Sequence, residues 1–375
     1  MIIFPTLLAG CVALTVGWLI ERYDHLHAWA THDVTNDGRQ KFHTHPRPRI
    51  GGVAVALGLC AAIFASAGHD NSMGTDGWLF LAACLPAFAA GFVEDLTKKI
   101  GPDIRLWSSF FSALLSISFF DVAIHNIAIP WVNAALNWYP IAVLFSVVAV
   151  GGIAHAVNII DGNNGLAGMA SILILLAIAW VASRVGDSNV CAFALFLAGA
   201  TSGFLYWNWP RASMFAGDGG AYLWGVSIGI LSVMLVARNA AVSPWFALLV
   251  VSYPVTETIF TIYRRKILQR TAPGLPDARH LHQFIYRRVL RGASFPKNDK
   301  RCEKLNSATS PFLWCLSLIA IFPAVLFWDK TEWLIVFTAV FILTYLWLYR
   351  SIVRFQIPPS IRRLGQTLTK WSALD

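Results

Sequence analysis

Charge is what this sequence has least of. Only 13% of its 375 residues are Asp, Glu, Lys or Arg, against about 25% in soluble domains. A chain so poor in charge cannot cover a water-facing surface, which excludes a free-standing soluble protein. Cysteine is scarce too: the six residues include no C-x-x-C pair, so neither a disulfide framework nor a zinc site is expected. No repeat with a period of about 20–50 residues and no low-complexity tract occurs, which excludes repeat architectures. The opening run MIIFPTLLAGCVALTVGWLI has no basic leader and no small-residue cleavage site, so a retained helix is expected rather than a signal peptide.

What is abundant is apolar surface: 57% hydrophobic residues, with 16 Trp and 25 Phe. Runs of about 20 apolar residues are long enough to cross a hydrocarbon core. Eleven spans are predicted, near 2–20, 49–67, 78–95, 105–122, 140–160, 165–184, 190–208, 219–237, 244–263, 312–328 and 333–350. The expected fold is an all-α integral membrane protein, a single polytopic domain over residues 1–375. With the N-terminus outside, the outer loops hold only Arg184, Arg238 and Lys330, and every other Lys and Arg lies inside, most densely between Arg264 and Lys304. The positive-inside rule then sets the orientation, with the C-terminus inside. The net charge of +9 reads as topology, not as nucleic-acid binding, and it also suits anionic head groups and phosphates. The largest soluble piece is expected over 264–311. Within it ARHLHQFIYRRVL reads as a basic amphipathic helix on the inner membrane surface.

The outer connections are short and bland, whereas each inner one carries something unusual. FAAGFVEDLTKKIG, residues 88–101, sets Glu94 beside Asp95 at the end of an apolar run. Like charges near low-dielectric surroundings need a cation to offset them. Lys98, Lys99 and Arg105, a metal or a substrate are the candidates, and a snorkelling charge cluster is the plain alternative. NIIDGNNGLAG offers Asn158, Asp161, Asn163 and Asn164 as oxygen donors in a glycine-rich turn. In NWPRASMFAGDGGAYLWG, Asp218 opens the eighth span, as helix cap or as ligand. Phe215 beside it reads as a stacking face or an interfacial anchor. KFHTHPRPRIGGVAV is expected to be extended through its prolines, with Gly51 and Gly52 allowing close backbone approach. In PDARHLHQ, following Pro273, Gly274 and Pro276, His280 and His282 should share one side of an extended segment, with a helix beginning near His282. Together with Arg279 they suit a phosphate. Collected on one face, Glu94, Asp95, Asn158, Asp161, Asn164 and Asp218 suit Mg²⁺ or Mn²⁺, with substrate phosphates completing the shell. Metal-dependent phosphate chemistry at the inner membrane surface is the reading.

These motifs, in order over residues 40–290, resemble the polyprenyl-phosphate N-acetylhexosamine-1-phosphate transferases, bacterial enzymes that start O-antigen, teichoic acid and peptidoglycan lipid intermediates. HPRPRIGG looks like the family's Pro-Arg-x-Gly-Gly, GFVEDL like its Asp-Asp motif, and NIIDGNNGLAG like Asn-x-x-Asp-Gly-x-Asp-Gly-Leu. MFAGDGGAYLWG looks like Phe-x-Gly-Asp-x-Gly, and the run from YPVTETIFTIYRR to PDARHLHQ like the last helix and its His-x-His. The resemblance implies a multi-pass protein of the bacterial inner membrane, N-terminus periplasmic and C-terminus cytoplasmic, with a cytosol-facing site. It implies attack of a polyprenyl phosphate on the β-phosphorus of a UDP-sugar, with UMP leaving. It further implies that Asp218 and Asn158 hold Mg²⁺, and that Phe215 stacks on uracil with Asn164 and Asp161 in the turn around it. Asp95, with Glu94, would orient or deprotonate the lipid phosphate, and His280, His282, Arg279, Arg105 and Lys98 would grip phosphates or sugar. The implied partners are the UDP-sugar, polyprenyl phosphate and membrane lipids, with no nucleic acid; a homodimer is left open.

Two positions depart from the family pattern: Glu94 replaces the first Asp of the pair, and Asn164 replaces the second acid of the Asp-Gly-x-Asp-Gly motif. The Asn at 164 and the PRPRIGG entry fit the subgroup linked to O-antigen initiation, and Leu281 between the histidines, with Gln283 after them, points away from the peptidoglycan branch; GlcNAc is the default sugar. The rival readings are a polytopic transporter, which would place its binding groups near the midplane, and a catalytically impaired lipid-binding relative.

Overall fold

The computed structural model describes residues 2–32, 46–68, 71–271, 277–290 and 299–357, with single positions beyond; the Pro273–Pro276 stretch falls outside these. The described chain is helical, its one β-bridge joining His32 and Pro48. In order the helices are α1 (Ile3–Arg22), α2 (Asp24–Thr31), α3 (Gly51–Ala67), α4 (Asn71–Thr97), α5 (Pro102–Phe120), α6 (Pro130–Leu136), α7 (Tyr139–Ile160) and α8 (Leu166–Val185). Then follow α9 (Ser188–Asn208), α10 (Gly217–Arg238), α11 (Pro244–Val250), α12 (Ser252–Tyr263), α13 (Leu281–Phe284), α14 (Asp299–Leu326) and α15 (Thr331–Val353).

Local chemistry sets the helix ends. Proline occupies the first turn of α5, α6, α7 and α11, where its missing N–H costs nothing. Asp187 caps α9 by accepting from Val190 N, and Ser243 caps α11 by accepting from Trp245 N. Tight connections follow, and consecutive long helices run back and forth.

Every predicted span meets a helix, but not always a full crossing. Among the described residues eight helices are long and apolar enough to cross a membrane: α1, α4, α7, α8, α9, α10, α14 and α15. The second predicted span is the 17-residue α3, and α5 is not among the eight. The ninth is broken: α11 and the segment Ser252–Leu268 meet at a bend of 74°. Pro254 explains the break, because it cannot donate to the carbonyl four residues back. The chain is a multi-pass membrane protein.

Two expectations in 264–311 need correction. The helical path continues from α12 through Arg264–Leu268, and α14 begins at Asp299, so the loop is shorter than predicted. Glu303–Ser310 is polar in sequence, but its Asn306, Ser307 and Ser310 are buried against the turn that follows α7. The expected surface helix, Leu281–Leu290, is likewise enclosed, with Leu281, Phe284, Ile285 and Tyr286 buried and α14 and α15 packed against it. Its arginines are spent inside the protein: Arg287 donates to the Ala278 carbonyl and Arg288 to the Ile352 carbonyl at the end of α15.

α10 is the axis. Its apolar window is 89% buried, and α3, α4, α5, α7, α8 and α9 pack around it. Because α4, α7 and α9 run toward the end at which α3, α5, α8 and α10 begin, the polar helix ends converge on one side.

Candidate active site

The site is organised by the start of α10. Gly217 has φ +72°, and a Cβ there would stand 2.0 Å from the Arg49 carbonyl oxygen and 2.4 Å from Asp95 Oδ2, so only glycine fits. The turn aims two backbone amides at Asp95: Asp218 N–H donates to Oδ1 at 2.9 Å and Gly219 N–H to Oδ2 at 2.8 Å. Asp95, in the last turn of α4, is buried. The proline-rich segment joins here in strand-like fashion: Phe215 N–H donates to Pro48 O, Gly51 N–H to Phe215 O and Gly52 N–H to Ala216 O, each at 2.9 Å.

Asp218 is turned away from its own helix end. Its Oδ1 accepts from Asn158 Nδ2 at 3.1 Å, and its Oδ2 pairs with Arg105. Arg49 Nη2 lies 3.6 Å from Asp218 and 3.8 Å from Asp95. Arg105 also stands 5.9 Å from the Tyr222 ring centroid, and the Tyr222 hydroxyl meets His155 Nδ1 at 3.1 Å. Asp161, just past the end of α7, lies within reach of the same charges. Burial pushes its carboxyl up to about 7; the Arg49 charge opposes this, and Asp218 and Asp95 add to it.

Some expected members stand elsewhere. Glu94 and Asp95 are adjacent on a helix, so their side chains diverge by about 100°. Glu94 Oε2 accepts from Ile100 N–H at 2.6 Å and fastens the α4–α5 turn. Lys98, at φ 56°, ends α4 and donates to the Asp95 carbonyl. Asn164 faces α14: its N–H donates to Asn306 Oδ1 and its Nδ2 to Ser307 Oγ, both at 2.9 Å. Phe215 is half-buried beside the α10 turn.

The histidines do share a side. His280 is extended and N-caps α13, and its ring stacks on His282 with centroids 5.4 Å apart and planes 6° apart. The buried His282 ring backs onto Gly162, where a Cβ would meet Nε2 at 2.4 Å. Burial pushes His282 down to about 3; the His280 charge adds to this and Glu257 opposes it, so the ring is neutral near pH 7. Arg279 is exposed and held by its backbone, its carbonyl accepting from Tyr349 OH at 3.0 Å. Burial raises the Asp277 carboxyl, but its pairing with Arg264 and the His280 and Arg265 charges together hold it below the usual range.

Sequence reasoning passed over two groups. Arg49 sits within PRPRIGG, where the motif alone does not single it out from Arg47. Glu257, on α12, is fully buried and accepts from His280 Nδ1 at 3.0 Å and from Tyr345 OH at 2.8 Å. Its signal was available: it is the lone charged residue between 244 and 263, and an ionisable residue inside a span is a functional candidate.

Among the described residues no three His, Cys, Asp or Glu side chains form a ready-made metal cage. The donors nonetheless fit a hard divalent cation that shares its shell with substrate. Asn158 spends its amide nitrogen on Asp218 and keeps its carbonyl oxygen, and Asp161 stands beside Asp218. An apolar cavity of about 600 Å³ runs along the α7 flank from Phe145 to Ala156, closed by Val233, Trp245 and Ile259 from α10, α11 and α12. Ala156, its last lining residue on α7, lies about one turn before the helix end, and Asn158, about 200° further round the helix, is not part of its lining.

Residues 77–236 match the family described as Glycosyl transferase family 4. The chain is 31% identical over 265 residues to a probable undecaprenyl-phosphate N-acetylglucosaminyl 1-phosphate transferase of Bacillus subtilis, covering 67% of this chain and 69% of that one. It is 26% identical to an undecaprenyl-phosphate alpha-N-acetylglucosaminyl 1-phosphate transferase of Thermotoga maritima, over 67% and 72% of the two chains. It is 28% identical to a phospho-N-acetylmuramoyl-pentapeptide-transferase of Heliobacterium modesticaldum, over 62% and 74%.

Proposed function

Because this chain belongs to the polyprenyl-phosphate hexosamine-1-phosphate transferases of glycosyl transferase family 4, we propose that it transfers GlcNAc-1-phosphate from UDP-GlcNAc to undecaprenyl phosphate, with release of UMP. The observation that carries this is Asp218, held by Asn158, Arg105 and Arg49 where the polar helix ends converge. The apolar cavity along α7 suits isoprene units of the carrier, and Arg49 and Arg105 suit its phosphate. Arg49 and Arg105 are at present spent on carboxylates; an incoming diphosphate offers them stronger partners and leaves Asp218 and Asn158 to Mg²⁺. A bound Mg²⁺ neutralises charge on the diphosphate. Phosphoryl transfer is chiefly positioning and charge neutralisation. A phosphomonoester with a second pKa near 6 is already largely dianionic at pH 7, so the attacking oxygen needs little help from a base. Phe215 stacks on the uracil, and His280 and His282 close the site over the Asp161–Gly165 turn. The site faces the cytosol from the bacterial inner membrane, as the inward basic residues support. Asn164 and the PRPRIGG entry favour a product that starts a surface polysaccharide of the O-antigen type, and Leu281 between the histidines speaks against the peptidoglycan branch.

Membranes carrying the protein, given radiolabelled UDP-GlcNAc, undecaprenyl phosphate and Mg²⁺, should yield a butanol-extractable diphospholipid. Asp218→Asn should cut its formation about a hundredfold or more. Equal product from Asp218→Asn, or none from the unaltered chain, would overturn the reading.

A further inference from the structure

We propose that Ser307 sets the base specificity of the nucleotide site by fixing which way the Asn164 amide faces. This rests on the reading that the Asp161–Gly165 turn receives the base of the UDP-sugar.

Hydrogen-bond accounting carries the inference. Ser307 Oγ is buried and has three neighbours: the Pro210 carbonyl at 3.0 Å, the Glu303 carbonyl at 3.2 Å and the Asn164 amide at 2.9 Å. A hydroxyl has one proton to give and lone pairs to receive. Its proton goes to one of the two carbonyls, which can only accept, so the group facing it from Asn164 has to be the donor. With the amide reversed, three acceptors would share a single proton. Asn164 therefore turns Nδ2 to Ser307, and its Oδ1 is left buried without a partner. The residue is otherwise held firmly. Its N–H donates to Asn306 Oδ1, its C=O accepts from Ser310 Oγ, and the next residue, Gly165, is held by Asn208 Oδ1 and Trp314 Nε1.

A buried acceptor without a protein donor is met by a water or by a ligand N–H, and in a turn that receives the base the ligand can supply it. Uracil supplies one at N3, flanked by two carbonyls, whereas cytosine presents a bare lone pair at N3. A fixed acceptor thus admits the imide and rejects cytosine. Asn163, the neighbouring residue, is also buried, with both amide atoms unpartnered. Nothing pins its amide, so it can serve either base and cannot discriminate; the pinned amide of Asn164 can. The same accounting explains why asparagine stands where the family pattern has an acid. A carboxylate there cannot donate to Ser307, and it would compete with the Pro210 and Glu303 carbonyls for the one hydroxyl proton.

The test is competition by UMP and CMP against UDP-GlcNAc in the transfer assay. The unaltered protein should favour UMP. Ser307→Ala frees the amide to reverse, and the preference for UMP should fall roughly ten- to hundredfold. In Ser307→Ala/Asn164→Asp the preference should return, because a carboxylate presents an acceptor whichever way it turns. A merely structural Ser307 would weaken both nucleotides alike and show no such rescue. Should the alanine variant not accumulate, Ser307→Cys replaces it, since a thiol accepts weakly and the preference should fall there too. An unchanged ratio in the single variant that accumulates, or no rescue in the double variant, overturns the inference. Absence of UDP-GlcNAc turnover in the unaltered protein would instead overturn the function on which it rests.

Discussion

Replacing Glu257 by Gln should uncouple the His280 loop from the bundle. The carboxylate is fully buried on α12 and gathers donors from three directions: His280 Nδ1 at 3.0 Å, Leu281 N–H at 3.3 Å and Tyr345 OH at 2.8 Å. Those contacts join α12, α13 and α15 and, through the stacked rings, set His282 against Gly162. Glutamine keeps the shape but offers a single acceptor, so its NH₂ must face either the histidine or the tyrosine. A buried hydrogen bond to a charged group contributes about 1.5–3 kcal/mol. Losing one should lower the thermal midpoint in detergent by several degrees. If that bond also holds His280 in its working pose, turnover should fall roughly ten- to hundredfold, since about 1.4 kcal/mol is a factor of ten. Tyr345→Phe removes a donor on the far side of the carboxylate from His280, so stability should drop with a smaller loss of turnover. Thermal melts and the radiolabel transfer assay on the same preparations separate the two effects. A Glu257→Gln protein with unaltered midpoint and unaltered turnover would refute the reasoning, because the buried charge would then be a bystander.

Asp161→Asn should abolish transfer while raising stability above neutral pH: a carboxyl held at about 7 against an ordinary 3.8 binds its proton more tightly in the fold. It therefore costs stability increasingly as pH rises from about 4 to 7, and midpoints measured across that range should converge at the acid end. Gly217→Ala should destabilise by at least about 1–3 kcal/mol from the backbone conformation alone, read as loss of folded protein by size-exclusion in detergent. Glu94→Gln should be nearly silent in turnover, since the amide oxygen still accepts from Ile100 N–H. Asp95→Asn should lower the midpoint by several degrees, because one amide oxygen cannot receive both α10 amides and its NH₂ faces a donor.

Helix existence was legible because hydrophobic run length dictates it, and every predicted span met a helix. Crossing status was less legible. The bend before α12 depends on where Pro254 falls within an otherwise continuous apolar run, and hydropathy does not register it. The polar first turns of α14 read as loop because their partners, Asn164 and Pro210, are about 100–140 residues away in the chain. For the same reason Asn164 was expected to face the site with its whole side chain, when its nitrogen is committed to α14. Motif spacing picks out Asp95, Asn158, Asp161 and Asp218, which the fold brings together because each lies at a helix end on the same side. It misjudged Glu94, whose adjacency to Asp95 in sequence becomes divergence on a helix. Glu257 was passed over because it belongs to no polar motif, although its isolation within a span was the signal.

The division of labour between Asp95 and Asp218 follows from the membrane. In hydrocarbon a helix cannot leave its first amides unpaired, and α10 is the most enclosed of the spanning helices. A lone carboxylate in its first turn would ordinarily be read as the cap. Here the capping comes from another helix: Asp95 of α4 takes the Asp218 and Gly219 amides with both of its oxygens. That placement relieves Asp218 of the task and lets its side chain turn outward to Asn158, Arg49 and Arg105. It also ties the end of α4 to the start of α10, so the group that stabilises the helix end and the group proposed to face the phosphates stay in fixed register. The adjacent acids in the sequence are then two different fastenings. Glu94 secures the turn into α5, which delivers Arg105, while Asp95 secures the turn into α10, which delivers Asp218. Arg105 and Asp218 meet because each of those turns is held by one member of the pair.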